Sequence, residues 1–229
     1  MKKYKTLGII GGLGPETTAH FYLKVVFACS KISGKRPKIL ISNVAVPLKI
    51  EEKLITEAKN IRGILPFVID SAIQLEKGGA DFIVIPCNTV HVFIDEIRKS
   101  VNIPILSIIE ETSKFLVDKK IKKVGLLGTS TTIKNKLFDK NLKDRGINIK
   151  ISDNLNQQKI GIIINRLVNN NHNSKDRLSL LKIINNLNVN NVVLACTDLQ
   201  ILKPECKGIK IFDTMDILAK ASVREQFKL

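Results

Sequence analysis

Residues Ala80-Asp81-Phe82-Ile83-Val84-Ile85-Pro86-Cys87-Asn88-Thr89-Val90-His91 hold a strand, a cysteine and a helix start in one run. Phe82 to Ile85 is apolar and largely β-branched, preceded by Gly78-Gly79 and stopped by Pro86, and reads as a fully buried parallel strand. From Thr89 onward apolar residues fall at Val90, Phe93, Ile94 and Ile97, which is helical spacing. Cys87 therefore sits between the carboxyl end of a strand and the amino end of a helix, the edge at which open α/β sheets bind ligands. The helix dipole and free amide groups there favour a thiolate. Simple packing also accounts for a lone cysteine in such a place, because free cysteine is among the most buried residue types.

A second copy of the design shifts the balance. Val192-Val193-Leu194-Ala195-Cys196-Thr197-Asp198 again runs apolar strand, small residue, cysteine, polar groups. Gly8-Ile9-Ile10-Gly11 recurs as Gly125-Leu126-Leu127-Gly128, and Asn102-Ile103-Pro104-Ile105-Leu106-Ser107 recurs more loosely as Gly208-Ile209-Lys210-Ile211-Phe212-Asp213. Three matches in the same order and at similar displacement indicate two related α/β halves. Each half is expected to be a mainly parallel sheet flanked by helices, with a cysteine at the equivalent strand end and the two thiols facing a cleft between the halves. The expected domains are 1–112 with 214–229, carrying Cys87, and 113–213, carrying Cys196.

With 229 residues, 44% hydrophobic and 25% charged, the chain has ordinary globular composition. The net charge of +16, from 37 basic and 21 acidic residues, invites a nucleic-acid reading. The lysines are nevertheless spread over many helices, without an arginine-rich run or interleaved aromatics. A solvated lysine-rich surface is the expectation, with a field able to attract an anion and no nucleic-acid partner. None of the four cysteines forms a Cys-x-x-Cys pair. Cys29 falls in a helix and reads as packing, and Cys206 as an incidental surface thiol. No signal peptide or apolar span of about 18 residues is present, so a cytoplasmic protein with no membrane partner is expected.

Along the chain, Thr6 to Ile10 reads as the first strand, and Pro15 suits the first turn of the next helix. Gly11-Gly12-Leu13-Gly14 falls short of a dinucleotide fingerprint, because Thr17 occupies the third glycine position. A close-packed loop whose backbone approaches a small anion at the helix start is the better reading. Ile39 to Val44 is a second strand, ended by Pro47, with Lys49 in the connection after it. A helix ends at Gly78-Gly79, strands follow at Ile103 to Leu106 and Val124 to Leu127, and Thr129 opens a run of hydroxyls that serves as a helix cap or binds a carboxylate. Asn169-Asn170-Asn171-His172-Asn173 reads as an exposed loop.

The loop Gly11-Gly12-Leu13-Gly14-Pro15-Glu16, the segment Pro86-Cys87-Asn88-Thr89-Val90-His91 and Cys196-Thr197-Asp198 together resemble the aspartate/glutamate racemase family, most of all its cofactor-independent aspartate racemases. The resemblance runs from the first strand to the final helix. It implies a homodimeric isomerase acting on a small acidic amino acid, aspartate first and glutamate second, with Cys87 and Cys196 catalytic. It further implies Thr129 at the substrate carboxylate and Lys49 at the distal carboxylate, where some relatives carry an arginine. Arg166 stands near a substrate-binding lysine of some relatives. Asp198 stands where the family commonly has glutamate, one methylene longer.

Inverting a carbon stereocentre by proton transfer requires a base on one face and an acid on the other. Two cysteines related by pseudo-symmetry supply both, if one is a thiolate and one a thiol, and their ordinary pKa of about 8.5 needs only modest tuning. Amide groups around Asn88-Thr89 and Thr197-Asp198 are placed to hold the α-carboxylate. Asp198 and His91 are candidate tuners of the thiols, with the substrate ammonium as the other role for Asp198 and simple packing the alternative for His91. No metal-ligand set or pyridoxal-lysine motif is evident, and no cofactor is expected. Two other readings stay open: a sister decarboxylase or isomerase using one cysteine, and a non-catalytic ligand- or nucleic-acid-binding protein.

Overall fold

The computed structural model describes residues 4–228. Eight strands form two four-stranded parallel sheets among these residues. The first contains β1 (Leu7–Gly11), β2 (Ile39–Asn43), β3 (Phe82–Val84) and β4 (Ile105–Leu106), in the order β2-β1-β3-β4. The second contains β5 (Lys123–Gly128), β6 (Asn148–Lys150), β7 (Asn191–Ala195) and β8 (Lys210–Asp213), in the order β6-β5-β7-β8. The strand orders are the same, as the internal repeat requires. In each sheet the order reverses between its two central strands, which opens a crevice at their carboxyl ends.

Helices α1 (Pro15–Ser33), α2 (Leu48–Thr56), α3 (Leu65–Lys77), α4 (Ile94–Lys99) and α5 (Ile108–Asp118) accompany the first sheet. Helices α6 (Ser130–Lys134), α7 (Asp139–Lys143), α8 (Asn154–Val168), α9 (Ser174–Asn186) and α10 (Thr214–Gln226) complete the chain. The helix expected from Thr89 begins instead as a 3-10 turn over Thr89–Phe93 before continuing as α4.

The halves share a core. One buried apolar cluster joins Leu7, Ile9 and Val84 of the first sheet to Val124, Leu126 and Val193 of the second, through Phe21 of α1, Ile108 of α5 and Met215 and Leu218 of α10. Helix α10 packs on both α1 and α5, so the chain's last helix returns to the first sheet. Gln226 fastens that return, accepting from the Cys29 thiol at 2.9 Å and donating to the Lys38 carbonyl at 3.2 Å. Cys29 is thus a packing residue. His172 is partly buried, with its Nδ1 unpartnered, in place of the solvated ring expected of its loop.

The segment after β2 departs most from the sequence expectation. It is the helix α2, in place of a plain connection, and it packs against α6 and α8 of the second half. Ile50, Leu54 and Ile55 give it an apolar face, and Ser130 and Thr131 donate hydroxyl hydrogen bonds to the carbonyls of Thr56 and Leu54, at 2.7 and 2.6 Å. The helix therefore bridges the cleft.

Candidate active site

β3 delivers Ile85, Pro86 and Cys87 past its carboxyl end, and β7 delivers Cys196 directly past Ala195. Both cysteines line one cavity between the halves, together with Asn88, Thr89, Thr129, Thr197 and Asp198. The structure thus brings together seven of the nine sequence-designated residues. The other two, Lys49 and His91, are not on the cavity wall.

The cavity measures about 30 Å³, room for a water or two. Admitting an amino acid requires the walls to part. Leu54 and Ile55 of α2 and Ile164 and Val168 of α8 form the wall that closes over the strand ends.

Asp198 is held from three sides. Its Oδ1 accepts from the Thr17 hydroxyl at 2.6 Å, and its Oδ2 lies 3.7 Å from the Cys196 thiol, which donates to it. Gly14, at φ 88° on the cap of α1, lies against the carboxylate so closely that a Cβ would come within 2.4 Å of Oδ1. The small anion expected beside the glycine loop is therefore the protein's own Asp198, at the positive end of α1. The loop's Gly12 amide is already used, donating to Thr18 Oγ1 at 3.1 Å. Burial pushes the Asp198 carboxyl up to about 6, against the hydrogen bonds from Thr17 and Cys196.

Asn88 is buried, and its amide orientation is set by its neighbour. The Thr214 hydroxyl has one proton and gives it to the Leu194 carbonyl at 2.8 Å, so it must accept from Asn88 Nδ2 at 2.9 Å. Asn88 Oδ1 is left buried without a partner. Across the cleft, Thr89 and Thr129 hydroxyls lie 3.0 Å apart, and Thr129 also accepts from the Thr132 amide as the cap of α6. Thr129 is thus the helix cap, and it also lines the cavity. The Thr197 side chain is turned to structure: its hydroxyl donates to the Pro86 carbonyl at 3.0 Å.

The thiols are not depressed in this closed arrangement. Burial pushes Cys87 up to about 12, the charges of Asp198 and Glu51 add to that, and the amides of Val90 and Thr89 work the other way. Cys196 is also raised, by burial first and then by Asp198, with the charge of Cys87 adding to it. The helix-start amides expected to favour a thiolate at Cys87 are present, but desolvation outweighs them.

His91 does not tune a thiol directly. Its Nε2 accepts from the Ile108 amide at 3.2 Å, so its Nδ1 carries the proton and donates to the Cys87 carbonyl at 2.8 Å. The ring joins the Cys87 segment to the start of α5 and positions its backbone. Burial lowers its pKa to about 4, keeping it neutral.

Lys49 is exposed on α2 and is not among the residues lining the cavity. Glu51 faces inward instead. Residues two apart on a helix face opposite ways, so the buried Leu54 and Ile55 bring Glu51 in and turn Lys49 and Lys53 out. Sequence alone misses Glu51, because a charged stretch directly after Pro47 looks like a connection. The spacing of Ile50, Leu54 and Ile55 after Pro47 is the signal that marks the helix. Arg166 pairs with the buried Asp176 at 2.8 Å and likewise lies off the cavity wall. Among the described residues no three of His, Cys, Asp and Glu gather closely enough to hold a metal ion.

Residues 10–222 match the family model for Asp/Glu/hydantoin racemase. The chain is 31% identical over 225 residues to the broad specificity amino-acid racemase RacX of Bacillus subtilis (strain 168), covering 95% of this chain and 96% of that one. A putative Asp/Glu racemase from Yersinia pestis superimposes with a TM-score of 0.81 at 25% identity, over 98% of this chain and 100% of that one. An aspartate racemase homologue from Pyrococcus horikoshii OT3 gives a TM-score of 0.75, also at 25% identity, over 98% of this chain and 100% of that one. With its two like-ordered parallel sheets and a cysteine at the same strand end of each, the chain belongs to the Asp/Glu/hydantoin racemase family and is an isomerase.

Proposed function

We propose that this enzyme interconverts the enantiomers of a free α-amino acid by 1,1-proton transfer between Cys87 and Cys196, without a cofactor. One observation carries the reading: both thiols line a single cavity, at equivalent strand ends of two sheets of the same order. One cysteine, as thiolate, takes the proton from Cα, and the other, as thiol, gives its proton to the opposite face. The stereocentre inverts, and the cysteines exchange protonation states. Asn88 Oδ1, an acceptor still lacking a donor, suits the substrate ammonium. Thr89, Thr129 and the amides about Thr197-Asp198 remain the groups for the α-carboxylate, and Asp198 holds the Cys196 proton until it is needed.

The aspartate or glutamate assignment had Lys49 as its contact. Lys49 faces solvent beside the closed cavity, so the amino acid's side chain is argued from the cavity wall itself.

We also propose that the enzyme is cytoplasmic and acts as a homodimer. No helix among the described residues is long and apolar enough to cross a membrane, and Leu23 and Phe27, one turn apart on α1, are exposed apolar side chains. Light scattering on the purified protein reports the assembly.

The test of the chemistry is incubation with single enantiomers in deuterium oxide. Cys87→Ser and Cys196→Ser are each expected to abolish racemisation, because a serine hydroxyl is far too weak an acid for either role. Each variant keeps one thiol and is expected to exchange the α-proton of opposite enantiomers without inversion. Near-normal racemisation by either variant would exclude the two-thiol mechanism.

A further inference from the structure

The strand ends supply the thiols and the polar groups of the cavity, whereas α2 and α8 supply the wall opposite. That second wall consists of apolar Leu54, Ile55, Ile164 and Val168 with one ionisable side chain, Glu51. No lysine or arginine is among the cavity-lining residues. The charge that acts on Glu51 is that of Asp198, which has the same sign. Both nearby lysines of α2, Lys49 and Lys53, are exposed on its other face, and Arg166 is spent on Asp176.

A dicarboxylic amino acid would bring a third negative charge to two carboxylates in a desolvated cleft, where like charges repel with little screening. A side chain made of methylenes and ending in a cation fits the wall at both levels. Its carbons would lie against the aliphatic side chains, as long basic side chains do on apolar surfaces. Its charged end would meet Glu51 in a charge-assisted hydrogen bond.

Building on the two-thiol racemisation, we propose that Glu51 is a specificity determinant and that the preferred substrate carries a cationic side chain, the class of ornithine, lysine and arginine. Glu51 is pushed up to about 7 by burial, and a substrate cation reverses that by compensating its charge. Burial is what chiefly holds Cys87 in its thiol form, and the charges of Asp198 and Glu51 add to it; the same cation offsets that added part.

The experiment compares L-ornithine with L-norleucine, its uncharged equivalent of the same length, and with L-aspartate and L-glutamate, following loss of circular dichroism. Ornithine is expected to exceed norleucine and both acidic amino acids in kcat/KM by about 10- to 100-fold, the range of one charged hydrogen bond. Glu51→Gln should collapse the ornithine-to-norleucine ratio by a similar factor, and Glu51→Asp should restore part of it. Lys49→Ala should leave the ratio unaltered. Faster turnover of aspartate or glutamate than of ornithine would overturn the proposal, as would an unaltered ratio in Glu51→Gln with native circular dichroism.

Calorimetry separates this proposal from the chemistry beneath it. In the Cys87→Ser/Cys196→Ser double variant, which cannot turn over, ornithine should bind and Glu51→Gln should weaken that binding about tenfold or more. Loss of racemisation chemistry with this binding pattern intact would fault the mechanism alone. Equal or tighter binding of aspartate would fault the assignment of Glu51.

Discussion

The Thr197 hydroxyl donates to the Pro86 carbonyl at 3.0 Å, so the residue after one thiol is tied to the residue before the other. The bond crosses the cleft between the two sheets and fixes the two cysteine-bearing segments relative to each other. Thr197→Val should leave that buried carbonyl unpaired, at a cost of about 1–3 kcal/mol in stability. It should also lower kcat by about 10- to 100-fold, the scale of a small misplacement of reacting groups. Thr197→Ser, which keeps the hydroxyl, should recover most of the rate. Steady-state kinetics beside thermal unfolding checks both; full activity in Thr197→Val would deny the bond its aligning role.

Gly14 and Asp198 form a second relationship of this kind. At Gly14→Ala the new Cβ would meet Asp198 Oδ1 at 2.4 Å, at a φ of 88°. The variant is expected to lose about 1–3 kcal/mol of stability to its backbone conformation, and most of its racemase activity through displacement of the carboxylate from Cys196. Gly34→Ala is the matched control: its φ is 68° and nothing lies within 4 Å of its Cβ. It should lose stability alone, as kinetics and calorimetric melting on the pair will show.

Under the proposed mechanism the thiols govern the alkaline side of the rate profile. Both are raised, Cys87 to about 12, with burial the first cause. Far below its pKa, the thiolate fraction grows about tenfold with each pH unit. The kcat/KM of the wild-type enzyme should therefore climb from neutral pH upward, until the substrate's own ammonium begins to lose its proton. A flat profile from pH 6 to pH 9 would mean that a thiolate already exists in the free enzyme.

His91 should mark the acid side of stability. Its folded pKa of about 4 lies below its ordinary value of 6.5 because of burial. A base with a lowered pKa contributes stability that is present above pH 6.5 and lost as pH falls through 4. The bound on the effect is about 3 kcal/mol. Glu51, Asp198 and Asp213 are raised and act in the opposite direction, losing their contribution as pH rises toward neutrality. They are common to the wild type and His91→Gln, so they cancel in the difference between the two. The stability advantage of the wild type over His91→Gln should therefore shrink between pH 6.5 and pH 4, measured by denaturant unfolding. An advantage constant with pH would show that the ring does not resist protonation.

Short apolar runs bounded by glycine and proline determined the two sheets, and the positions of Cys87 and Cys196 relative to those runs determined that both thiols lie at strand ends. This information is local: a strand buried on both faces is apolar along its whole length, and the residue that succeeds its last apolar position lies at the sheet edge. The facing of α2 was a tertiary decision. Lys49 and Glu51 stand two residues apart in the chain, and only the packing of Leu54 into the first half's core and of Ile55 into the second's chose which of them enters the cavity. The ring of His91 could have turned to the thiol or to the backbone, and the Ile108 amide from α5 settled it. Asp198 met its partner Thr17 across a separation of 181 residues. The thiols' protonation was decided last, because desolvation sums over every element packed around a group, and no stretch of sequence near Cys87 or Cys196 contains that sum.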